Sequence, residues 1–443
     1  MMKNRAFLAL AALSAQVSLA FLAVACGSST TTDPAPVVTP PAPTAPVATT
    51  PPDPIPPPPA PLDHGAVSTK YPAFTPASGQ ILSGGGPILK NPVIVTVTWP
   101  GDPRATDLEN FGDTVGAGAY WKAITSEYGA AAAISGASNH LRLTAPGPAS
   151  ITDKQLATFV ATNLAAPATL WPIPATGDPV YVLYVPTSTK VMLQGADTCT
   201  SGVGGYHDSV SVNGKQVAFA IVPRCGAPLL DMTFIASHEL DEATTDPYPN
   251  SQPAFRGFRD EDIAWELFLQ KQNEVGDACE FFSDSELSPS ASSESLASYT
   301  VQRQWSNASG AAGHDPCVPE LSGEVYFNMT PLATEDIQVI VNDAPVVTKG
   351  YKIKAGEKRQ IPLGFHSAGA TAPWTITAVN ASLGGGPFNN DIALALDVTS
   401  GQNGQKAYLT VTVKTASPTN SELVTIVSTR NGIKHYMPFL IGN

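Results

Sequence analysis

Three short β-branched runs, each ended or flanked by proline, constrain this chain most. They are Asn91-Pro-Val-Ile-Val-Thr-Val-Thr-Trp-Pro100, Pro179-Val-Tyr-Val-Leu-Tyr-Val-Pro186 and Gln216-Val-Ala-Phe-Ala-Ile-Val-Pro223. Runs of this length and composition read as strands. Between the first two lie two helical patterns. Asp107 to Tyr128 carries apolar residues at Leu108, Phe111, Ala119, Tyr120, Trp121 and Ile124. Thr152 to Leu164 is the second, with Thr152 or Asp153 able to cap it. A third apolar helical run, Leu229-Leu-Asp-Met-Thr-Phe-Ile-Ala236, follows the last strand directly. Helices and strands that alternate in this way predict an α/β or α+β body with that last helix packed on a sheet.

The same helix continues into His238-Glu-Leu-Asp-Glu-Ala-Thr-Thr-Asp-Pro247. His238 and Glu242 stand four apart, so a helix puts both on one face, about 5–6 Å apart at Cβ. A zincin helix presents two ligands to one metal ion in this way, with the Glu after the first His as general base. Here Glu242 stands where a zincin has its second His. His238 and Glu242 are therefore candidate metal ligands, and Glu239 is the candidate base that activates water. Zinc catalysis needs three protein ligands and an open position. Candidates for the third are His207 in a glycine-rich loop, Asp246 before Pro247, and Glu274 and Asp277 just ahead of Cys279. Asp246 can equally cap the turn, and Glu274 or Asp277 can hydrogen-bond His238 from behind. A histidine in the set favours zinc over calcium, which takes six to eight oxygens. No Gly-x-Ser-x-Gly elbow and no phosphate-binding GxxxxGK[ST] loop occurs.

The ends of the chain give its address. Residues 1–26 read as a signal peptide, with Lys3 and Arg5 before an apolar run and small residues before Cys26. Ala23-Val-Ala-Cys26 resembles a bacterial lipoprotein box, which makes Cys26 the expected lipidated residue and the membrane the expected partner. Gly27-Ser-Ser, with no Asp after the cysteine, points to the outer membrane of a bacterial envelope. Residues 27–65 are rich in Thr, Ala and Pro and read as an extended stalk. The net charge of −13 and pI near 4.9 leave no basic stripe for nucleic acid. The four remaining cysteines, Cys199, Cys225, Cys279 and Cys317, imply disulfides in an exported chain. Sequential pairing, Cys199–Cys225 and Cys279–Cys317, closes the shortest loops, and no CxxC spacing supports a cysteine-held metal. Residues 66–320 form the expected central domain. Residues 321–443 carry six or more short β-branched runs separated by turn residues such as Asn403-Gly and Asn431-Gly. They predict an all-β, immunoglobulin-like sandwich, a type of domain that contacts glycans, envelope components or proteins.

Five motifs occur in order in the central domain: Gly204-Gly-Tyr-His-Asp208, Ala218-Phe-Ala-Ile-Val-Pro-Arg-Cys225, Ser237-His-Glu-Leu-Asp-Glu-Ala-Thr-Thr-Asp-Pro247, Glu274-Val-Gly-Asp-Ala-Cys279 and Val301-Gln-Arg-Gln-Trp-Ser-Asn307. Their order resembles the bacterial and fungal relatives of the plant phosphate-induced, or EXORDIUM-like, secreted proteins. The resemblance spans most of the central domain and neither the stalk nor the C-terminal part. It implies an extracellular protein with a zincin-like helix. The expected fold is thus α+β, a zincin-like central domain followed by the β-sandwich. Two functions follow from the sequence. One is a lipid-anchored zinc-dependent peptidase acting on a peptide or protein substrate. The other is a non-catalytic surface protein that keeps this fold for adhesion or envelope contact.

Overall fold

The computed structural model describes residues 61–443 apart from 167–170, 172, 271–273, 289–295, 297, 384, 386–390, 416, 418–420 and 443. Cys26, the signal segment and nearly all of the stalk lie outside the described residues. The chain mixes helices with strands, and its C-terminal region is rich in strands. No helix among the described residues is long and apolar enough to cross a membrane.

The three proline-bounded runs are strands. They are β1 (Pro92–Thr98), β3 (Asp178–Val185) and β5 (Lys215–Pro223), joined in one sheet by β2 (His140–Arg142) and β4 (Tyr206–Val212). The spatial order is β2-β1-β3-β5-β4. All neighbours are parallel except β4, which returns antiparallel along β5 at the sheet edge. Alternate residues face opposite ways in a strand, so both faces of this sheet are apolar. Ile94, Val180, Val182, Ala218, Ala220 and Val222 pack under helices α1 (Ala105–Val115), α2 (Ala119–Thr125) and α4 (Leu229–Thr245). Val95, Val97, Tyr181, Leu183, Phe219 and Ile221 pack under α3 (Asp153–Ala165) through Leu156, Val160 and Leu164. Thr152 caps α3 reciprocally with Gln155. The expected single helix over Asp107–Tyr128 is in fact two. Gly116 and Gly118 bracket the break, where the helix loses the propensity to continue.

The C-terminal strands form two sheets over a shared core. One has the order β6 (Phe327–Pro331), β9 (Lys358–Ser367), β13 (Lys406–Val413), β11 (Ile392–Leu396). The other runs β7 (Glu335–Val341), β8 (Ala344–Lys352), β15 (Ile433–Gly442), β14 (Ser421–Arg430), β10 (Trp374–Val379), β12 (Ser400–Gly401). In β13 the alternate residues Ala407, Leu409, Val411 and Val413 are buried. Asn431-Gly432 makes the tight β14–β15 turn, both residues at positive φ. Asn403-Gly404 also makes a turn, between β12 and β13, with Gly404 at positive φ. Asn403 is buried as well, and its amide ties Ser68, Lys70, Ala73 and Ser367 together through their backbones, anchoring the segment that leads into the central sheet. The core of these two sheets continues into the central region through α5 (Ile263–Phe268), with Phe268 against Tyr436 at 5.3 Å.

His366 and His435 are buried in this core, and burial pushes both imidazoles down to about pH 4. An unfolded imidazole takes its proton near pH 6.5. Between 6.5 and 4 the unfolded chain therefore holds more protons, and these two groups cost stability as the pH falls. We expect His366→Phe, which keeps a ring beside Tyr326, to gain on the wild type by on the order of 2 kcal/mol between pH 7 and 4.5. Denaturant melts of the oxidised protein at both pH values test this, and an unchanged difference rejects it.

Candidate metal centre

Helix α4 seats Met232, Ala236, Leu240 and Ala243 on the central sheet. That apolar stripe fixes the rotation of the helix and turns His238, Glu239 and Glu242 to one side of it. Every residue from Ala236 to Pro247 is buried. His207 reaches the same place from edge strand β4, where it stands opposite Ala220. Glu274 and the short helix α6 (Asp277–Glu280) arrive from the other side. The two expected disulfides are present and hold these segments. Cys279–Cys317 fixes α6, and Cys199–Cys225 fixes the turn Thr198–Ser201 ahead of β4.

Glu242 is the centre of the arrangement. Its Oε1 accepts a hydrogen bond from the Asp277 backbone N–H at 3.0 Å. Its Oε2 lies 3.2 Å from His238 Nε2 and 3.4 Å from His207 Nδ1. Each imidazole is tied down at its other nitrogen. His238 Nδ1 is 3.1 Å from Gln302 Oε1. The Gln302 amide nitrogen donates to the Gly276 carbonyl at 2.7 Å and to Gln304 Oε1, so its oxygen must accept and His238 Nδ1 must donate. His207 Nε2 likewise donates to the Asp246 carbonyl at 3.0 Å. Each ring therefore turns its remaining nitrogen to carboxylates, which requires a proton or a metal ion between them. His207, Glu239 and Glu242 form one group with ligand atoms within 4.8 Å of one another. His238, Glu242 and Asp277 form a second. Glu242 belongs to both.

The charges are unbalanced. Glu239, Glu242, Glu274, Asp277 and Glu280 surround the two imidazoles, and Arg256 reaches Glu274 at 3.0 Å. Burial alone would lower both imidazoles, but the carboxylates outweigh it and hold them well above their usual range. Burial would raise Glu242, but the two rings hold it well below. The other acids go the opposite way. Burial pushes Glu239 and Asp277 up, with Glu242 adding to both, and carries Glu274 and Glu280 to about 7. Burial and mutual repulsion thus oppose the full ionisation of these acids.

Two cleft arms meet over His238, Glu239 and Asp277. One, of about 200 Å³, has Leu193, Phe234, Ile235 and Phe281 in its walls beside the polar Gln194, Ser201, Glu280 and Gln302. The other, of about 490 Å³, is polar and runs past His207, Asp208, Asn250 and Arg256. Glu239 Oε2 is buried here without a hydrogen-bond partner.

Of the residues singled out by sequence, His238, Glu239, Glu242, His207 and Asp277 converge. Asp246 and Glu274 stand outside both groups. The Asp246 carboxylate accepts the Ala254 N–H at 2.6 Å and closes the turn after α4, while its carbonyl holds His207. Glu274 lies 3.6 Å from the far side of that ring. Gln302, although it sits inside a motif quoted above, and Gly276 carry no signal in the sequence, whereas Gly205 belongs to the glycine-rich loop ahead of His207. A Cβ at Gly205 would stand 2.5 Å from Glu239 Oε1, and one at Gly276 would stand 2.7 Å from Glu242 Oε1 and 3.0 Å from His238 Nδ1. No protein-family model and no curated protein matches the chain.

The Gly276 contact yields a direct prediction. Gly276→Ala must displace Glu242 or His238. We expect a loss of about 1–3 kcal/mol in stability from overpacking. Thermal melts check it, and wild-type stability in the variant rejects the close packing described here.

Proposed function

We propose that this chain is a zinc-dependent hydrolase of peptide bonds, with the metal held by His238, Glu242 and Asp277. The observation that carries this reading is the tautomer lock. Gln302 and the Asp246 carbonyl each fix one imidazole so that its free nitrogen faces Glu242, an arrangement typical of metal-ligating histidines. Three nitrogen and oxygen ligands beside an open cleft suit zinc, and a cation there would offset the repulsion among the buried carboxyl groups. Packing of α4 on the mixed sheet supports the zincin-like description of the central region. The two packed C-terminal sheets suit an immunoglobulin-like spacer or contact domain for glycans or envelope components. The lipoprotein-like Cys26 would hold the whole at a bacterial membrane, in the setting of the EXORDIUM-like proteins that the central motifs resemble.

Zinc, when bound, polarises the scissile carbonyl and the attacking water. Glu239 is the base. Glu239 lines both cleft arms, its Oε2 has no hydrogen bond and lies 3.8 Å from His207 Nδ1, and burial raises its pKa. The water oxygen bonds to the carbonyl carbon while its proton passes to Glu239. The C–N bond then breaks as Glu239 returns that proton to the departing amine. His207 lines the polar arm and, with His238, orients Glu242 through the same Oε2.

Purified oxidised protein is expected to hold about one zinc per chain, and His238→Ala to lose it. Glu239→Gln should keep the metal and lose 10²- to 10⁴-fold in turnover. A folded, oxidised protein that takes up no zinc sinks the proposal. It would leave the cluster as an ion-pair network in a non-catalytic surface protein. A second expectation concerns protons. The imidazoles are held protonated well above their usual range, and a ligating nitrogen must give up its proton. Zinc uptake should therefore release protons near neutral pH and weaken as the pH falls. Calorimetry in two buffers of different ionisation enthalpy reads this directly, and buffer-independent heats contradict it.

A further inference from the structure

The smaller cleft arm contains a group that the proposed hydrolysis leaves unused. Phe234 and Ile235 lie on α4 one turn before His238 and Glu239, so they form a shelf leading to the centre. Leu193 and Phe281 close its sides. Glu280 stands in the same arm on α6, held in place by the neighbouring Cys279–Cys317 disulfide. The Glu280 side chain makes no hydrogen bond or ion pair with a described residue, and the opposite charge acting on it is that of His238. It is half-buried beside Phe281, and a carboxylate there is costly to keep dry without a paired cation.

We infer that this arm is a side-chain pocket for a lysine or arginine of the substrate, with Glu280 as the residue that selects the cation. The inference rests on the hydrolase reading for its place beside the reacting bond, but not for the binding itself. A long basic side chain matches both parts of the arm. Its aliphatic stem covers Phe234, Ile235 and Leu193, and its head pairs with Glu280, the usual division of labour in amphipathic side chains. Arginine adds a planar fork that fits one carboxylate with two hydrogen bonds. A neutral side chain of the same length would fill the shelf and leave Glu280 without a partner. Site-built polar groups discriminate most strongly in that way.

The test separates binding from turnover. In the Glu239→Gln background, calorimetry or fluorescence titration compares acetyl-Ala-Arg-Ala-amide with its citrulline counterpart, which has the same shape and no charge. The arginine peptide is expected to bind at least tenfold more tightly, and Glu280→Gln to erase that difference. Equal affinities, no saturable binding of either peptide, or a preference that survives Glu280→Gln overturns the inference. The comparison with Glu280 intact stands even if the variant folds poorly. Zinc content and cleavage by the wild type are measured on the same preparations. A protein that binds the arginine peptide selectively but never cleaves it would retire the hydrolase and keep the pocket. A protein that cleaves peptides without regard to basic residues would do the reverse.

Discussion

Everything around the centre follows from burying the charged half of one helix. Helix α4 buries His238, Glu239, Asp241 and Glu242, because the stripe Met232, Ala236, Leu240 and Ala243 must lie on the sheet. Unpaired charge at such depth is expensive, and losing one partner of a buried pair costs about 3–5 kcal/mol. The surrounding chain is arranged to meet that demand. Edge strand β4 supplies His207, the segment after Gly276 supplies a backbone N–H to Glu242, and Gln302 holds His238. Glycine stands at 205 and 276 because no side chain fits between backbone and carboxylate there. Asp241 alone is left with both oxygens unpartnered, and burial keeps its carboxyl protonated well above the usual range.

A second buried charge braces the chain just beyond the centre. Arg303 is 0% exposed. Its five N–H groups meet five acceptors: the Pro319, Asp284 and Cys317 carbonyls and the Asp284 and Asp315 carboxylates. Those acceptors follow α6 and flank Cys317. Arg303 therefore locks the cleft wall beside the disulfide, one residue beyond the glutamine that orients His238. Phe282 stacks on Tyr436 at 5.6 Å, so the strand-rich region also buttresses that wall. The group His435, Asp284 and Asp315 has the look of a second ligand set, but the guanidinium already neutralises its acids.

Much of this was legible in the sequence because it obeys short-range rules. The three β-branched runs, the Thr152 cap, the i,i+4 pair His238 and Glu242, and the two sequential cysteine pairs all express local periodicity or loop length. The strands β8, β9 and β15 escaped because Pro345, Pro362 and Pro438 interrupt their patterns. Pairing with long neighbours carries them past that defect. Gln302 escaped for a different reason. Its importance lies in the orientation of one amide, set by Gly276 and Gln304, and no spacing in the chain encodes which way an amide turns. Glu280 reads as an ordinary helix-end acid until the fold sets it against Phe234 and Ile235.

The two disulfides close loops with separations of 26 and 38 residues, and each secures one bank of the cleft rather than the sheet beneath it. The sheet and helices have apolar cores of their own, so they do not depend on these bonds for their shape. Cys279 and Cys317 also pack in a buried core with Val275 and Ala278, and Arg303 binds the chain beyond each of them. Each cross-link thus adds to contacts already in place, and its consequence is mechanical: it narrows the range over which the two banks can part.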